Sequence, residues 1–413
     1  MTHETAGALS HLKVLDLSRV LAGPWCTQML ADLGADVIKI ERPVVGDDTR
    51  HWGPPFLQDE EGNNTEQASY YAACNRNKRS VTIDMSKPEG QELIRTLALQ
   101  SDIVVENFKV GGLTQYGLDY ASLKKLNPKL IYCSITGFGQ DGPYAERAGY
   151  DLMIQAMTGM MSITGAGEGA PMRVGVAVID VFTGVYATSA ILAAIEVRHR
   201  TGEGQLIDMA LLDVGMAVLA NQAAGFLNTG KVPLRQGNSH PSLAPYQDFE
   251  TLDGAMLLAI GNDGQFARFC FVAGHSEWAT DTRFTSNTDR VTNRVALVEL
   301  MQAATRTRST AQWIAALEDK AVPCGPINTM DQAFADAQVQ HRGLKITQPT
   351  SEAAQAQTSV SAISSVASPL RLMGTPPVLR NPPPALGEHT VEVLAEMGLG
   401  AAQIAALQAG KVV

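Results

Sequence analysis

Short, nearly continuous apolar runs recur along the first third of the chain: LKVLDLS at 12–18, ADVIKIE at 35–41, RSVTIDM at 79–85, DIVVENF at 102–108 and KLIYCSI at 129–135. Runs of this length that do not alternate suit strands covered on both faces. Helical segments fall between them. Gly23-Pro24 opens one that Gly34 stops, and Ser86-Lys87-Pro88-Glu89 has capping-box spacing ahead of another that runs through Leu99. A third runs to about Asn127. Strand and helix repeated in this way predict an α/β fold built on a parallel sheet.

The apolar run from Val181 to Ile195, between Asp180 and Glu196, is rich in Thr, Ala and Gly. It is too short and too mild to span a bilayer and reads as a buried helix. GQLIDMAL supplies one more strand, followed by a helix to about Asn228. From 229 the character changes to a Gly/Pro/Ser loop, a short strand (AMLLAI) and amphipathic helices. The expected organisation is a large domain beginning at 1–225, a smaller domain at 226–325, and a return segment at 326–413 that completes the large one. Within that return, the Ser/Ala-rich stretch 349–368 and the proline-rich stretch 375–384 read as extended connectors, and the final residues as two short helices.

Composition narrows the class. Of 413 residues, 45% are hydrophobic and 18% charged, as in an ordinary globular enzyme. The net charge of -10 argues against general attraction to nucleic acid or an anionic membrane. The five cysteines contain no C-x-x-C pair, so neither a disulfide framework nor a zinc site is expected. The opening MTHETAGALS lacks a basic start and an apolar core, which points to a cytoplasmic protein.

Candidate chemistry concentrates between Gly137 and Gly169, where isolated carboxylates stand among glycines without a histidine, cysteine or lysine. A metal site would want clustered His, Cys, Asp or Glu, and a hydrolytic triad a base beside Ser or Cys. The pattern suits a carboxylate acting alone. Thr164-Gly165-Ala166-Gly167-Glu168-Gly169 would expose Glu168 on a loop whose backbone can approach a ligand closely, or be a solvated turn. Asp151 and Asp180 are the competing carboxylates, each also placed to favour a helix N-terminus. Gly137-Phe138-Gly139-Gln140-Asp141-Gly142 matches G-x-G-x-x-G, but Pro143 follows where a dinucleotide fingerprint needs a helix. Arg42 and Asn75-Arg76-Asn77-Lys78-Arg79 gather cations where this kind of sheet collects ligands. His240, in the ligand-friendly loop GNSHP, is a further substrate candidate, or a surface histidine.

VLDLSRVLAGPWCTQMLADLGADVIKIERP, NRNKRSVTIDM, NPKLIYCSITGFGQDGPY, TGAGEGAPMRVG, TGEGQLIDMAL, VPCGPI and LGEHT, taken together, resemble the class III CoA-transferases, the family of formyl-CoA and carnitine CoA-transferases that also contains α-methylacyl-CoA racemase. The resemblance covers nearly the whole chain. It implies a Rossmann-like large domain made from both chain ends, a small middle domain, and a homodimer of interlocked rings. It also implies coenzyme A bound as a substrate, with no permanent cofactor and no metal, over Leu21, Ala22, Arg42, Asn75, Asn77, Lys78, Asn107, Phe108 and Thr136. The family nucleophile is an aspartate in a T-G-x-x-D-G turn, and Glu168 stands at that position, one methylene longer. Thr136 and Gln115 stand where formyl-CoA transferases carry basic residues.

In the chemistry this implies, a carboxylate attacks an acyl-CoA, CoA thiolate returns to make an enzyme thioester, and an acceptor acid displaces it. Backbone N–H groups at Gly137, Gly139 and Gly237 are the candidates for oxyanion stabilisation. The blocks around Gly137 and Gly169 look most like succinyl-CoA-dependent enzymes acting on dicarboxylates such as glutarate, with Arg50, Arg173 and Arg235 the candidates for a distal carboxylate. Two alternatives share the fold: a racemase, whose catalytic histidine would fall at Tyr150 and whose acid at Asp180, and a non-catalytic acyl-CoA binder.

Overall fold

The structure, a computed structural model, describes residues 7–413, so the first six residues of the segment read for a leader lie outside it. The chain divides into two compact units. Of the described residues, unit 1 takes 7–158, 175–224 and 338–413, and unit 2 takes 159–174 and 225–337. The segment 159–174, which carries Glu168, goes with the middle of the chain. Nothing in its local composition marks that change of partner.

Unit 1 is built on six strands: β1 (Lys13–Asp16), β2 (Asp36–Glu41), β3 (Lys78–Thr82), β4 (Ile103–Glu106), β5 (Ile131–Thr136) and β6 (Leu206–Ala210). All pair in parallel, in the order β3-β2-β1-β4-β5-β6. This is the strand order of dinucleotide-binding doubly wound sheets, whose ligands collect beyond the carboxyl ends of β1 and β4 where the order reverses. Every residue of β4 and β5 is buried, which is why their sequences run apolar without alternation. Helices α1 (Ala22–Asp32), α2 (Pro88–Leu99) and α3 (Tyr120–Leu126) connect the strands. Leu15, Val81, Ile94, Val104, Leu118 and Leu394 belong to one core cluster that joins the sheet to the chain's C-terminal part. The predicted capping box before α2 does not form: Ser86 Oγ donates to Asp84, and Lys87 is the cap residue.

Three further helices position the site: α4 (Asp151–Met157), α5 (Val178–Thr201) and α6 (Leu211–Ala217). The predicted helix to residue 228 is interrupted after α6, where Ala220 takes φ +43°, before resuming at Ala220–Thr229. The helix α5 is longer than its apolar run and is not buried all round. Ile179, Thr183, Gly184, Ala187, Thr188 and Ile191 form a buried stripe. Gly184 lets the axis close on α1, since a Cβ there would stand 2.8 Å from Ala22 O. Phe182, Val185, Tyr186 and Leu192 are exposed on unit 1. By length and mean hydropathy (1.8) α5 alone among the described residues could cross a membrane, with 44% of that stretch buried in the protein.

The C-terminal return docks on unit 1 through Asn77 and Arg380. Asn77 Oδ1 accepts the N–H of Arg380 at 2.7 Å, and Arg380 donates to the carbonyls of Ala31, Gly34 and Ala35. The stretch 349–368, expected as a connector, folds instead as an antiparallel pair, Lys345–Pro349 with Ala362–Val366, around the helix Glu352–Thr358. Ser351 caps that helix through the N–H of Ala354, and Ser359 at φ +59° ends it. Small polar residues here act as helix signals rather than as a solvated tether. Unit 2 has its own three-stranded antiparallel sheet and a core around Phe249, Phe266, Phe269 and Trp313.

Candidate active site

Beneath the carboxyl end of β1 the predicted CoA-binding residue Lys78, which opens β3, turns inward. Lys78 is fully buried and donates to Asp16 Oδ2 at 3.0 Å, Asn75 Oδ1 at 2.8 Å and Pro24 O at 2.9 Å. Asn77 is engaged with Asp32 and the return segment, as Arg76 is with Asp32 at 2.6 Å. Burial alone would push Asp16 up, yet the charges of Lys78 and Lys39 hold its carboxyl down at about 2. The side chains of Asn75 and Lys78 therefore build the floor of the first βα turn, while Asn77 ties the far end of α1 to the return segment, and none of the three is free to hold phosphates. Arg50 is corrected in the same way. It forms a fork on Glu41 at 2.8 and 2.7 Å and stacks on Tyr71, so no donor pair remains for a substrate carboxylate.

Above this floor lies a cationic edge. Arg19 and Arg42 both reach Asp48, at 3.3 and 3.2 Å, and are 39% and 52% exposed. Two guanidiniums on one carboxylate leave net positive charge. Asn107 clamps the backbone of Arg19 from both sides, accepting its N–H at 2.8 Å and donating to its carbonyl at 2.7 Å. The Arg19 guanidinium stands 5.4 Å from the Phe108 ring. Val20, at φ +71°, is held by Asp47, which also pairs with the buried Lys39. Leu21 and Ala22 follow at the start of α1, which has no side-chain cap and no acidic residue in its first turn, so the positive end of its dipole is left without a counter-charge of its own. Arg19 was missed from sequence; its place directly after β1 was the available signal. Glu106, buried at the end of β4 beside Phe108, is pushed up to about 7 by burial.

The stretch after β5 explains its glycines without a dinucleotide. A Cβ on Gly137 would lie 2.5 Å from Gly149 Cα, so both glycines are required where this loop closes on itself. The N–H of Gly139 donates to Thr136 Oγ1 at 2.9 Å, which removes Gly139 as an oxyanion donor and takes one acceptor position of the Thr136 hydroxyl. Asp151 is also occupied. Its Oδ2 accepts the N–H groups of Ile179 (2.7 Å) and Asp180 (3.2 Å), and its Oδ1 accepts from Gln155. Asp151 starts α4 but caps α5. Asp180, in the first turn of α5, is pushed up to about 7 by burial and by the charge of Asp151. Tyr150 is 65% exposed.

In unit 2, Glu168 is exposed on its glycine loop, with Gly165 at φ +112° and Gly169 at φ +147°. Arg235 donates to the carbonyls of Gly169, Ala166 and Ser162 and so is taken up by the loop itself. The N–H of Gly237 donates to Gly165 O at 3.0 Å, which removes it from the oxyanion candidates. His240 is tied into its own turn: Nδ1 accepts from the N–H of Ser242, and its carbonyl accepts from Arg294. Arg173 is exposed four residues beyond Gly169. Among the described residues no group of three or more His, Cys, Asp or Glu is placed to hold a metal ion.

A family model described as CoA-transferase family III matches residues 9–390. The succinate–glutarate CoA-transferase of Agrobacterium fabrum is 51% identical over 94% of this chain and 95% of its own length. The human succinyl-CoA:glutarate CoA-transferase is 41% identical over 94% of this chain and 86% of its own length. A crystal structure of a CAIB/BAIF family protein from Brucella suis, 49% identical, superposes with a TM-score of 0.83 over 95% of this chain and all of that one.

Proposed function

Because the chain belongs to CoA-transferase family III, we propose that it moves coenzyme A from succinyl-CoA to glutarate or a dicarboxylate of similar length, with Glu168 as acyl carrier. The observation that carries the substrate pair is the 51% identity to the Agrobacterium succinate–glutarate enzyme along 94% of this chain. The acyl-carrier role is supported by the exposed carboxylate of Glu168 on its glycine loop and by the full occupation of the Asp151 carboxylate.

The Glu168 carboxylate attacks the thioester carbonyl of succinyl-CoA, forming a mixed anhydride and releasing CoA thiolate. The thiolate then attacks the Glu168 carbonyl, freeing succinate and leaving an enzyme thioester. The acceptor carboxylate displaces CoA to give a second anhydride. Thiolate attack on its acyl carbonyl yields the new acyl-CoA and restores Glu168. One thioester is exchanged for another, so the cycle is close to isoenergetic. The uncapped N-terminus of α1 and the Arg19/Arg42 pair suit the phosphates of CoA. With Arg50 and Arg235 occupied, Arg173 is the substrate candidate left exposed, and it is assigned the distal carboxylate of the dicarboxylate.

A homodimer is part of the same reading. The exposed apolar face of α5 (Phe182, Val185, Tyr186, Leu192) would be covered by a second copy. Epimerisation of a 2-methylacyl-CoA is the second reading, favoured by the Asp180 carboxyl near 7, but Tyr150 occupies the place of its histidine base. Incubation with succinyl-CoA and a panel of acids, read by mass spectrometry, tests the two together. New CoA esters of dicarboxylates support transfer. Solvent deuterium at the α-carbon of a 2-methylacyl-CoA without any new ester supports the second reading.

A further inference from the structure

Glu168 sits between Gly167 and Gly169, which have no side chains to anchor it, and Gly165 and Gly169 take left-handed φ values that leave the loop no intrinsic preference for this shape. The loop must be held from outside. Arg235, far along the chain, supplies the hold: Nη2 donates to Gly169 O at 2.7 Å, Nε to Ala166 O at 3.3 Å and Nη1 to Ser162 O at 3.4 Å. Two residues on, Gly237 N–H donates to Gly165 O at 3.0 Å. The three carbonyls flank Glu168 on both sides, and only a planar fork of donors reaches all of them. These three bonds go to carbonyls, not to a carboxylate.

We propose that Arg235 is the positioning residue for the acyl carrier, fixing the carboxylate of Glu168 by clasping the backbone on either side of it. The inference rests on Glu168 carrying the acyl group. A misplacement of about 1 Å costs on the order of 100-fold in rate when reacting atoms must meet. Arg235 spends its donors on the loop's own carbonyls, so the loss should fall on kcat rather than on KM for the thioester.

The test follows the rate at which quenched enzyme shows a succinyl or CoA adduct on Glu168, with Arg235→Ala and Arg235→Lys beside the unaltered enzyme. Arg235→Ala should form the adduct about 100-fold more slowly, with KM for succinyl-CoA within about twofold, and added guanidinium ion should restore part of the rate. Arg235→Lys, which keeps charge but not the fork, should stay about tenfold or more below the unaltered enzyme. It decides the question if Arg235→Ala is not recovered folded. Adduct formation at the unaltered rate in either variant overturns the inference and leaves Glu168 as carrier. So does a loss that guanidinium does not relieve and that raises KM equally. Absence of any adduct on Glu168 in the unaltered enzyme removes the carrier reading, and the inference with it.

Discussion

Asp151 accepts the backbone N–H of Asp180 at 3.2 Å on the same carboxylate oxygen that takes Ile179 N–H at 2.7 Å. One aspartate thus caps the helix whose first turn carries the other. The arrangement separates two carboxylates that sequence spacing left equivalent. Asp151 has its oxygens filled by donors, while Asp180 keeps a half-buried carboxyl beside a negative neighbour.

Asp180 should therefore make stability depend on pH. Burial first, and the Asp151 charge second, push its carboxyl up to about 7. A carboxyl raised above its unfolded value of about 4 stabilises the fold fully below that pH, and the contribution is lost as pH rises through about 7. Asp180→Asn removes the penalty at high pH. Its Tm should equal or trail that of the unaltered protein at pH 4 and gain on it steadily from pH 5 to 8. Calorimetry across that range checks the sign, and an offset independent of pH would contradict it.

Asp151→Ala should destabilise without stopping the chemistry. Loss of an N-cap costs about 1–2 kcal/mol, and the buried N–H of Ile179 is left unpaired. Denaturant unfolding should show that loss, while adduct formation on Glu168 continues. An Asp151→Ala protein of normal stability but no turnover would make Asp151 the better nucleophile.

The sheet was legible because β4 and β5 are buried on both faces and say so in their composition. What stayed hidden was pairing across distance. Lys78 looks like a phosphate ligand until Asp16, 62 residues earlier, is found beneath it, and Arg50 looks like a substrate arginine until Glu41 is found against it. Arg235 likewise reads as a substrate arginine, because nothing local tells of its bond to Gly169, 66 residues away. The stretch 349–368 misled for the opposite reason: Ser351 and Ser359 are punctuation for a helix but resemble linker composition.

Lys78→Met should be costly. Removing one member of a buried ion pair costs about 3–5 kcal/mol, and here it strands Asp16, which is fully buried. The double variant Asp16→Asn with Lys78→Met should recover part of the loss in urea unfolding. Asp16 also fixes an acid limit. Its carboxyl, drawn down to about 2 by Lys78 and Lys39 against the effect of burial, contributes stability above about pH 4 that is lost as pH falls toward 2.

Arg173→Ala should raise KM for glutarate by about 10- to 100-fold, the equivalent of one charge-assisted pair of about 1.5–3 kcal/mol. KM for a monocarboxylic acceptor of the same length, which has no distal carboxylate to lose, should change less. Steady-state kinetics with the two acceptors checks this. Equal effects on both acids would place the distal carboxylate elsewhere.

The most direct measurement follows oxygen. When glutarate labelled with oxygen-18 in its carboxylates displaces CoA from Glu168, the bridging oxygen of the anhydride stays on the enzyme. After turnover with succinyl-CoA, the peptide containing Glu168 should carry the label, and Glu168→Gln should neither turn over nor acquire it. Glutaryl-CoA formed by an enzyme whose Glu168 peptide remains unlabelled would contradict the account.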